Sequence, residues 1–154
     1  PRALAKQHID FVDSNDNDDW LDPCRNSVDG SYYSQMPEGQ RDWCEILEGV
    51  SFFDHDMHPD IICCNPPYSI LNKWLEKCVE LEPRIISLLI GVGNLTAKRI
   101  EFMESKGYGL NKLKMFKVFK WYGMSYFATF TKGEKSIIEI DRTVWRSDKK
   151  EIIE

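Results

Sequence analysis

The chain has 154 residues, is 42% hydrophobic and carries a net charge of −5. That length suits one domain with a full core, the hydrophobic content excludes a disordered chain, and no apolar run reaches the roughly 18–20 residues of a membrane span. The charge argues against a general nucleic-acid binder but is unevenly placed: residues 1–97 hold 7 Lys and Arg against 17 Asp and Glu, and residues 98–150 hold 13 against 6. Such an asymmetry fits either a polyanion meeting the C-terminal half or a solvated basic β-surface.

In chain order, residues 3–13 are expected as a short helix, with Leu4, Ile9, Phe11 and Val12 only partly periodic. The Asp/Asn-rich stretch 13–19 ends it. Trp20-Leu21-Asp22-Pro23 reads as a strand closing on a turn, followed by a polar loop to Gly30. Residues 42–47 read as a second short strand, and a Gly49 turn leads to Ser51-Phe52-Phe53. The run Asp60-Ile61-Ile62-Cys63-Cys64 is a buried strand. The period then changes. Ile70, Leu71, Trp74, Leu75, Cys78 and Val79 fall at helical spacing, which predicts an amphipathic helix over 70–81 with Ser69 as N-cap and Pro83 as its end. Residues 85–90 form another buried strand, broken by Gly91 and Gly93, and a helix over 96–105 stops at Gly107. Alternation from about residue 110 then marks antiparallel strands, through Leu113 to Phe119, over 126–130 and over 137–140, joined by turns at Trp121-Tyr122-Gly123 and Lys132-Gly133-Glu134.

Strands alternating with helices, closed by antiparallel strands, predict an α/β fold: a doubly wound, mostly parallel sheet with an antiparallel edge. The expected organisation is a single catalytic domain over 1–154 with no separate target-recognition domain. Five cysteines show no CxxC pair and no zinc spacing, so an intracellular, reducing setting is expected. No signal-like segment opens the chain, and the missing initial methionine fits a processed or trimmed chain.

The residues richest in chemistry are Asn65-Pro66-Pro67-Tyr68, directly behind the strand at 60–64. In open α/β sheets the carboxyl end of a strand is where ligands bind. Two prolines fix φ and donate no N–H, which leaves the surrounding carbonyls free and rigidly aimed. Asn65 adds a side-chain carbonyl, and Tyr68 a flat face with a polar tip. Acceptors for an exocyclic amine beside a stacking ring suit amino-group methylation. The plain alternative is a Pro-Pro turn capped by a surface tyrosine.

Asp/Asn-Pro-Pro-Tyr/Phe after a strand resembles the catalytic motif of S-adenosylmethionine (SAM)-dependent amino-methyltransferases, above all the adenine-N6 DNA methyltransferases. The resemblance covers roughly residues 18–131 in the gamma-class order, cofactor motif first. Asp22-Pro23-Cys24 resembles the family's Asp-Pro-x opening, and Gly30-Ser31-Tyr32-Tyr33 its Gly-x-Phe-Tyr close. Glu45 stands where the family's acid accepts ribose hydroxyls, and Phe52 and Phe53 where it packs on adenine. The resemblance implies a Rossmann-like class I methyltransferase, SAM as cofactor and no metal. It implies cofactor binding by Asp22, Pro23, Cys24, Gly30, Glu45, Ile46, Phe52 and Asn65, and catalysis by Asn65, Pro66, Pro67 and Tyr68. The implied reaction is methylation of adenine N6 in DNA, with the base flipped onto Tyr68 and Trp121, Tyr122 or Phe127 as a second face. Glu45 also reads as a solvated strand-end acid, and Phe52 and Phe127 as core.

Two departures stand out. The family's Gly-x-Gly is replaced by Arg25-Asn26-Ser27-Val28-Asp29, where Asn26 can take a left-handed conformation, Val28 cannot do so cheaply, and Gly30 alone is left for a close approach. Ser51 replaces the aspartate that accepts the adenine amine, with Asp54 or Asp56 as nearby substitutes. His55-Asp56-Met57-His58 lacks a third metal ligand, and Gly91-Val92-Gly93-Asn94 lacks the lysine and spacing of a P-loop. Similar tetrapeptides occur in release-factor glutamine and guanine-N2 ribosomal RNA methyltransferases, so protein and RNA substrates remain alternatives. A methyltransferase-fold module without catalysis fits the missing glycines. The basic C-terminal half is expected to meet nucleic acid, DNA before RNA, with a partner protein supplying specificity.

Overall fold

A computed structural model describes residues 1–27, 30–145, 147 and 152–153. Its main sheet holds six strands: β1 (Trp20–Asp22), β2 (Arg41–Trp43), β3 (Ile61–Cys64), β4 (Ile85–Gly91), β5 (Tyr108–Phe116) and β6 (Ser125–Lys132). Their spatial order is β2-β1-β3-β4-β6-β5. The first four run parallel, and β6 is reversed between β4 and β5. Among the described residues three α-helices cover the sheet: α1 (Arg2–Phe11), α2 (Leu71–Glu80) and α3 (Ala97–Ser105). The expected architecture is therefore present, with mostly parallel strands and an antiparallel edge. A short antiparallel pair, β7 (Val144–Trp145) with β8 (Ile152–Ile153), follows. Among the described residues, no helix is long and apolar enough to cross a membrane.

Strand alternation splits the core in two. Ile62, Cys64, Ile86, Leu88 and Ile90 point to the face covered by α2 and α3, where they meet Trp74, Leu75, Ile100 and Met103. Ile61, Cys63 and Ile85 point to the other face, against Ala5, Ile9 and Val12 at the α1 side. All four β3 side chains are buried on one face or the other, which is why that run reads as continuous apolar sequence.

Four expectations change in detail. The second strand covers Arg41–Trp43, not 42–47, because the chain folds back: Glu45 pairs antiparallel with Val50 around Gly49, whose φ is 76°. Ser69 is not the cap of α2; a 3₁₀ turn over Tyr68–Ile70 intervenes, and Ile70 precedes the helix without a side-chain cap. The first of the late strands begins at Tyr108 and ends at Phe116. Residues 137–140 form no strand. Instead Ile137 N–H donates to the Leu110 carbonyl (2.8 Å) and Ser136 Oγ accepts from Leu110 N–H (3.0 Å), beside the β5 irregularity between Leu110 and Lys112. The segment closes that irregularity rather than extending the sheet.

Candidate active site

The carboxyl ends of β1 and β3 lie side by side because their strands are paired in parallel. At the end of β1, Asp22 is almost fully buried, and its carboxylate accepts from Cys24 N–H (3.2 Å) and Tyr33 N–H (3.1 Å). It thereby ties both ends of the intervening loop to one point. Burial raises its pKa to about 6, against the lowering effect of those two hydrogen bonds.

Within the loop, Asn26 takes the left-handed conformation, with φ 70°. Its N–H donates to Glu45 Oε2 (2.7 Å), while Glu45 Oε1 accepts from Leu47 N–H (3.0 Å). Glu45 is thus a buried clamp between two loops rather than a solvated acid. Gly30 is required for a reason internal to the loop: a Cβ there would fall 2.3 Å from the Arg25 carbonyl oxygen. The expected close approach is to the chain itself. Val28, weighed in the sequence for its backbone preference, and its neighbour Asp29 lie outside the described residues.

At the end of β3 the chain passes from the buried Cys64 to an exposed Asn65. Cys24 Sγ donates to the Asn65 carbonyl (3.2 Å). A hydrogen bond with Cys64 and burial hold the Cys24 thiol well above the ordinary thiol range, so it stays a neutral donor. Tyr68 is 40% exposed, and its hydroxyl stands 3.0 Å from Asn65 Oδ1 and 3.2 Å from the Leu89 carbonyl.

Two open cavities meet here. The larger, about 540 Å³, is walled by Glu45, Ile46, Phe52, Pro66 and Trp74, with Pro23 and Pro67. The smaller, about 360 Å³, is walled by Asp22, Gly30, Tyr32, Leu89 and Trp121. Cys24, Asn26 and Asn65 belong to both. Every residue expected to contact a cofactor therefore lies on one wall or the other. Of the expected catalytic residues, Asn65, Pro66 and Pro67 do so. Tyr68 does not.

Ser51 lines the larger cavity with its Oγ accepting from Phe53 N–H (3.2 Å), whereas Asp54 and Asp56 are exposed and do not line it. Phe52 is buried against Trp74 (ring centres 4.5 Å apart) while still lining the cavity, so it serves as core and wall together. Trp121 faces the smaller cavity, Tyr122 is fully exposed, and Phe127 is core. His58 Nδ1 lies 2.7 Å from the Leu81 carbonyl, and His55 Nδ1 lies 3.7 Å from Cys44 Sγ, so the two histidines are used separately. Residues 92–94 form a 3₁₀ turn between β4 and α3.

Two groups escape sequence reasoning. Arg25 is buried, ion-paired with Glu48 and stacked 3.6 Å from the centre of the Trp43 ring. His8, fully buried on α1, bonds Tyr32 Oη at Nδ1 (2.7 Å) and Ser87 Oγ at Nε2 (2.8 Å), and Ser87 continues to Thr129 (2.8 Å). Burial lowers its pKa to about 3. Its spacing with Ala5 and Ile9 on one helix face was the available signal.

The sequence matches no family model and no curated protein. Its fold matches solved structures. A precorrin-6y C5,15-methyltransferase from Geobacter metallireducens GS-15 is similar with TM-score 0.58 and 18% identity over 85% of this chain and 87% of that chain. A magnesium protoporphyrin IX methyltransferase from Synechocystis PCC 6803 with bound SAM gives TM-score 0.61 and 9% identity over 84% and 76%. The N-methyltransferase NodS from Bradyrhizobium japonicum WM9 gives TM-score 0.59 and 10% identity over 86% and 96%. The chain has the Rossmann-like methyltransferase fold.

Proposed function

We propose that the chain transfers a methyl group from SAM to the exocyclic N6 amine of adenine in DNA. The observation that carries this reading is Asn65, exposed where the two cavities join, with its side chain held by Tyr68 at the end of a buried parallel strand. The neighbours whose fold this chain shares include one with bound SAM.

The walls suit such a cofactor. Cavities of roughly 300–1,000 Å³ that combine apolar walls with a few convergent polar groups are the usual small-molecule sites; here the larger cavity is mainly apolar and the smaller mainly polar. Glu45, Ile46 and Phe52 would hold the nucleoside part; Asp22, Cys24 and Gly30 would hold the amino-acid part. The carboxylates of Asp22 and Glu45 favour a cationic sulfonium. SAM supplies an activated methyl group, so no metal and no covalent enzyme intermediate is needed. Cys24 is the thiol nearest this chemistry, and its raised pKa keeps it from competing for the methyl group.

Asn65 Oδ1 and the Pro66 carbonyl accept the two N–H bonds of the amine. That favours a pyramidal nitrogen whose lone pair is available for in-line attack on the methyl carbon, whose bond to sulfur would break as the new C–N bond forms, with the neutral thioether S-adenosylhomocysteine as leaving group. Both acceptors are fixed in advance: the first by the Tyr68 hydroxyl, the second by consecutive prolines. The methylated nitrogen then releases its excess proton to solvent through the open cleft. A base must be flipped or single-stranded to reach Asn65.

A second reading, a binding module that holds SAM without turnover, is favoured by the loop after β1, whose Gly30 is used up against the Arg25 carbonyl. Mass analysis of nucleosides after incubation with isotopically labelled SAM and mixed DNA and RNA separates these. The proposal expects labelled N6-methyladenine in DNA. Label confined to RNA or to protein glutamine moves the substrate, and thermal stabilisation by SAM without any labelled product supports the module.

A further inference from the structure

Residues 105–133 contain Lys106, Lys112, Lys114, Lys117, Lys120 and Lys132, and not one aspartate or glutamate. In the middle of this segment, the loop between β5 and β6 rises beside the active site. Val92 N–H donates to the Met124 carbonyl (3.0 Å), and Trp121 lines the smaller cavity together with Asn65 and Leu89. The loop is ordered by its own contacts: Lys117 Nζ donates to the carbonyls of Trp121 and Gly123, and Lys120 and Gly123 take left-handed φ values of 67° and 68°.

While Trp121 turns in, its neighbours turn out. Phe119 is 85% exposed and Tyr122 wholly so, and Lys120 Nζ lies 5.7 Å from the centre of the Phe119 ring. Lys114 and Lys120 have no carboxylate partner among the described residues. Two flat rings left in water, one with an unpaired ammonium group beside it and another such group on the strand that leads into the loop, match one ligand chemistry closely: unstacked bases carried on a phosphate chain. A duplex hides its base faces and an apolar protein surface leaves the lysines unanswered.

We propose that the β5–β6 loop is a platform for single-stranded nucleic acid, with bases flanking the target stacking on Phe119 and Tyr122 and phosphates meeting Lys114 and Lys120. The inference deepens the nucleic-acid reading of the active site and rests on it.

The test is fluorescence anisotropy of a short adenine-containing single-stranded oligonucleotide, and of its duplex, with the full chain. Phe119→Ala/Tyr122→Ala should weaken single-strand affinity about 100-fold, roughly tenfold per ring. Thermal stabilisation by SAM should be unchanged, which serves as the folding control. Lys114→Ala/Lys120→Ala should flatten the slope of log affinity against log salt by about 1.4, near 0.7 per contact. Unchanged single-strand affinity in the aromatic variant, or tighter binding of the duplex, overturns the platform. A polyglutamate peptide competing as well as the oligonucleotide overturns it in favour of an acidic protein partner. If wild-type protein methylates the oligonucleotide while the aromatic variant binds normally, only the platform falls. If wild-type protein neither binds nor methylates any oligonucleotide, the nucleic-acid reading falls with it.

Discussion

The hydroxyl of Tyr68 lies 3.0 Å from Asn65 Oδ1, and Tyr68 lines neither cavity. One hydroxyl hydrogen is in reach of both that oxygen and the Leu89 carbonyl, so the phenol links the β3 end to β4. In this geometry Tyr68 acts first as the residue that orients the Asn65 amide. The stacking face expected from its sequence position is a separate role.

Tyr68→Phe separates the two. It keeps the ring and removes the hydroxyl, so kcat should fall about tenfold, the value of one hydrogen bond of about 1–1.5 kcal/mol, with KM for nucleic acid little changed. A phenylalanine variant with wild-type kcat would leave only the stacking role.

Glu45→Ala strands the N–H groups of Asn26 and Leu47, both bonded to a carboxylate that is almost fully buried. Unfolding free energy should fall by about 2–3 kcal/mol, since hydrogen bonds to charged groups contribute about 1.5–3 kcal/mol. The affinity for SAM, read by calorimetry, should fall at least about tenfold. An unchanged affinity removes Glu45 from the cofactor site.

Two buried groups oppose each other in acid. His8 titrates at about 3 in the folded chain against 6.5 unfolded, so its contribution is complete above pH 6.5 and is lost as pH falls toward 3. Asp22 titrates at about 6 folded against 3.8 unfolded, so its burial disfavours the folded state at neutral pH and that penalty is relieved as pH falls from 6 to 3.8. Each has a limiting slope of about 1.4 kcal/mol per pH unit. His8→Gln should therefore flatten the loss of Tm between pH 6.5 and 4, and Asp22→Asn should steepen it. Parallel pH profiles for both variants and wild type would refute these assignments.

How much of this was legible depends on which force sets each feature. β3 and β4 were readable because their apolar runs are set by burial on both faces, β1 because Trp20-Leu21 runs into a turn at Asp22-Pro23, and α2 because its period is set by one face. The walls of the cleft were readable as far as short motifs fix them. Features set by tertiary closure were not: the Ile137–Leu110 bond that replaces a strand, the Arg25 stack on Trp43, and the 3₁₀ turn that displaces Ser69 from the helix start. His8 sits between these cases. Its helix position was visible, but Ser87 and Tyr32 are far away in sequence, and only the folded sheet brings them together.

The central claim is tested most directly by measuring Asn65→Ala in two assays on one preparation: SAM affinity by calorimetry and single-turnover methyl transfer to adenine-containing DNA. With the amide gone, cofactor affinity should stay within about threefold, because Asn65 is one of many wall residues. The transfer rate should drop at least about 100-fold, the scale seen when one preorganised polar group is removed from a reacting centre. Affinity and rate declining together, or a rate that survives the substitution, would contradict the role given to Asn65.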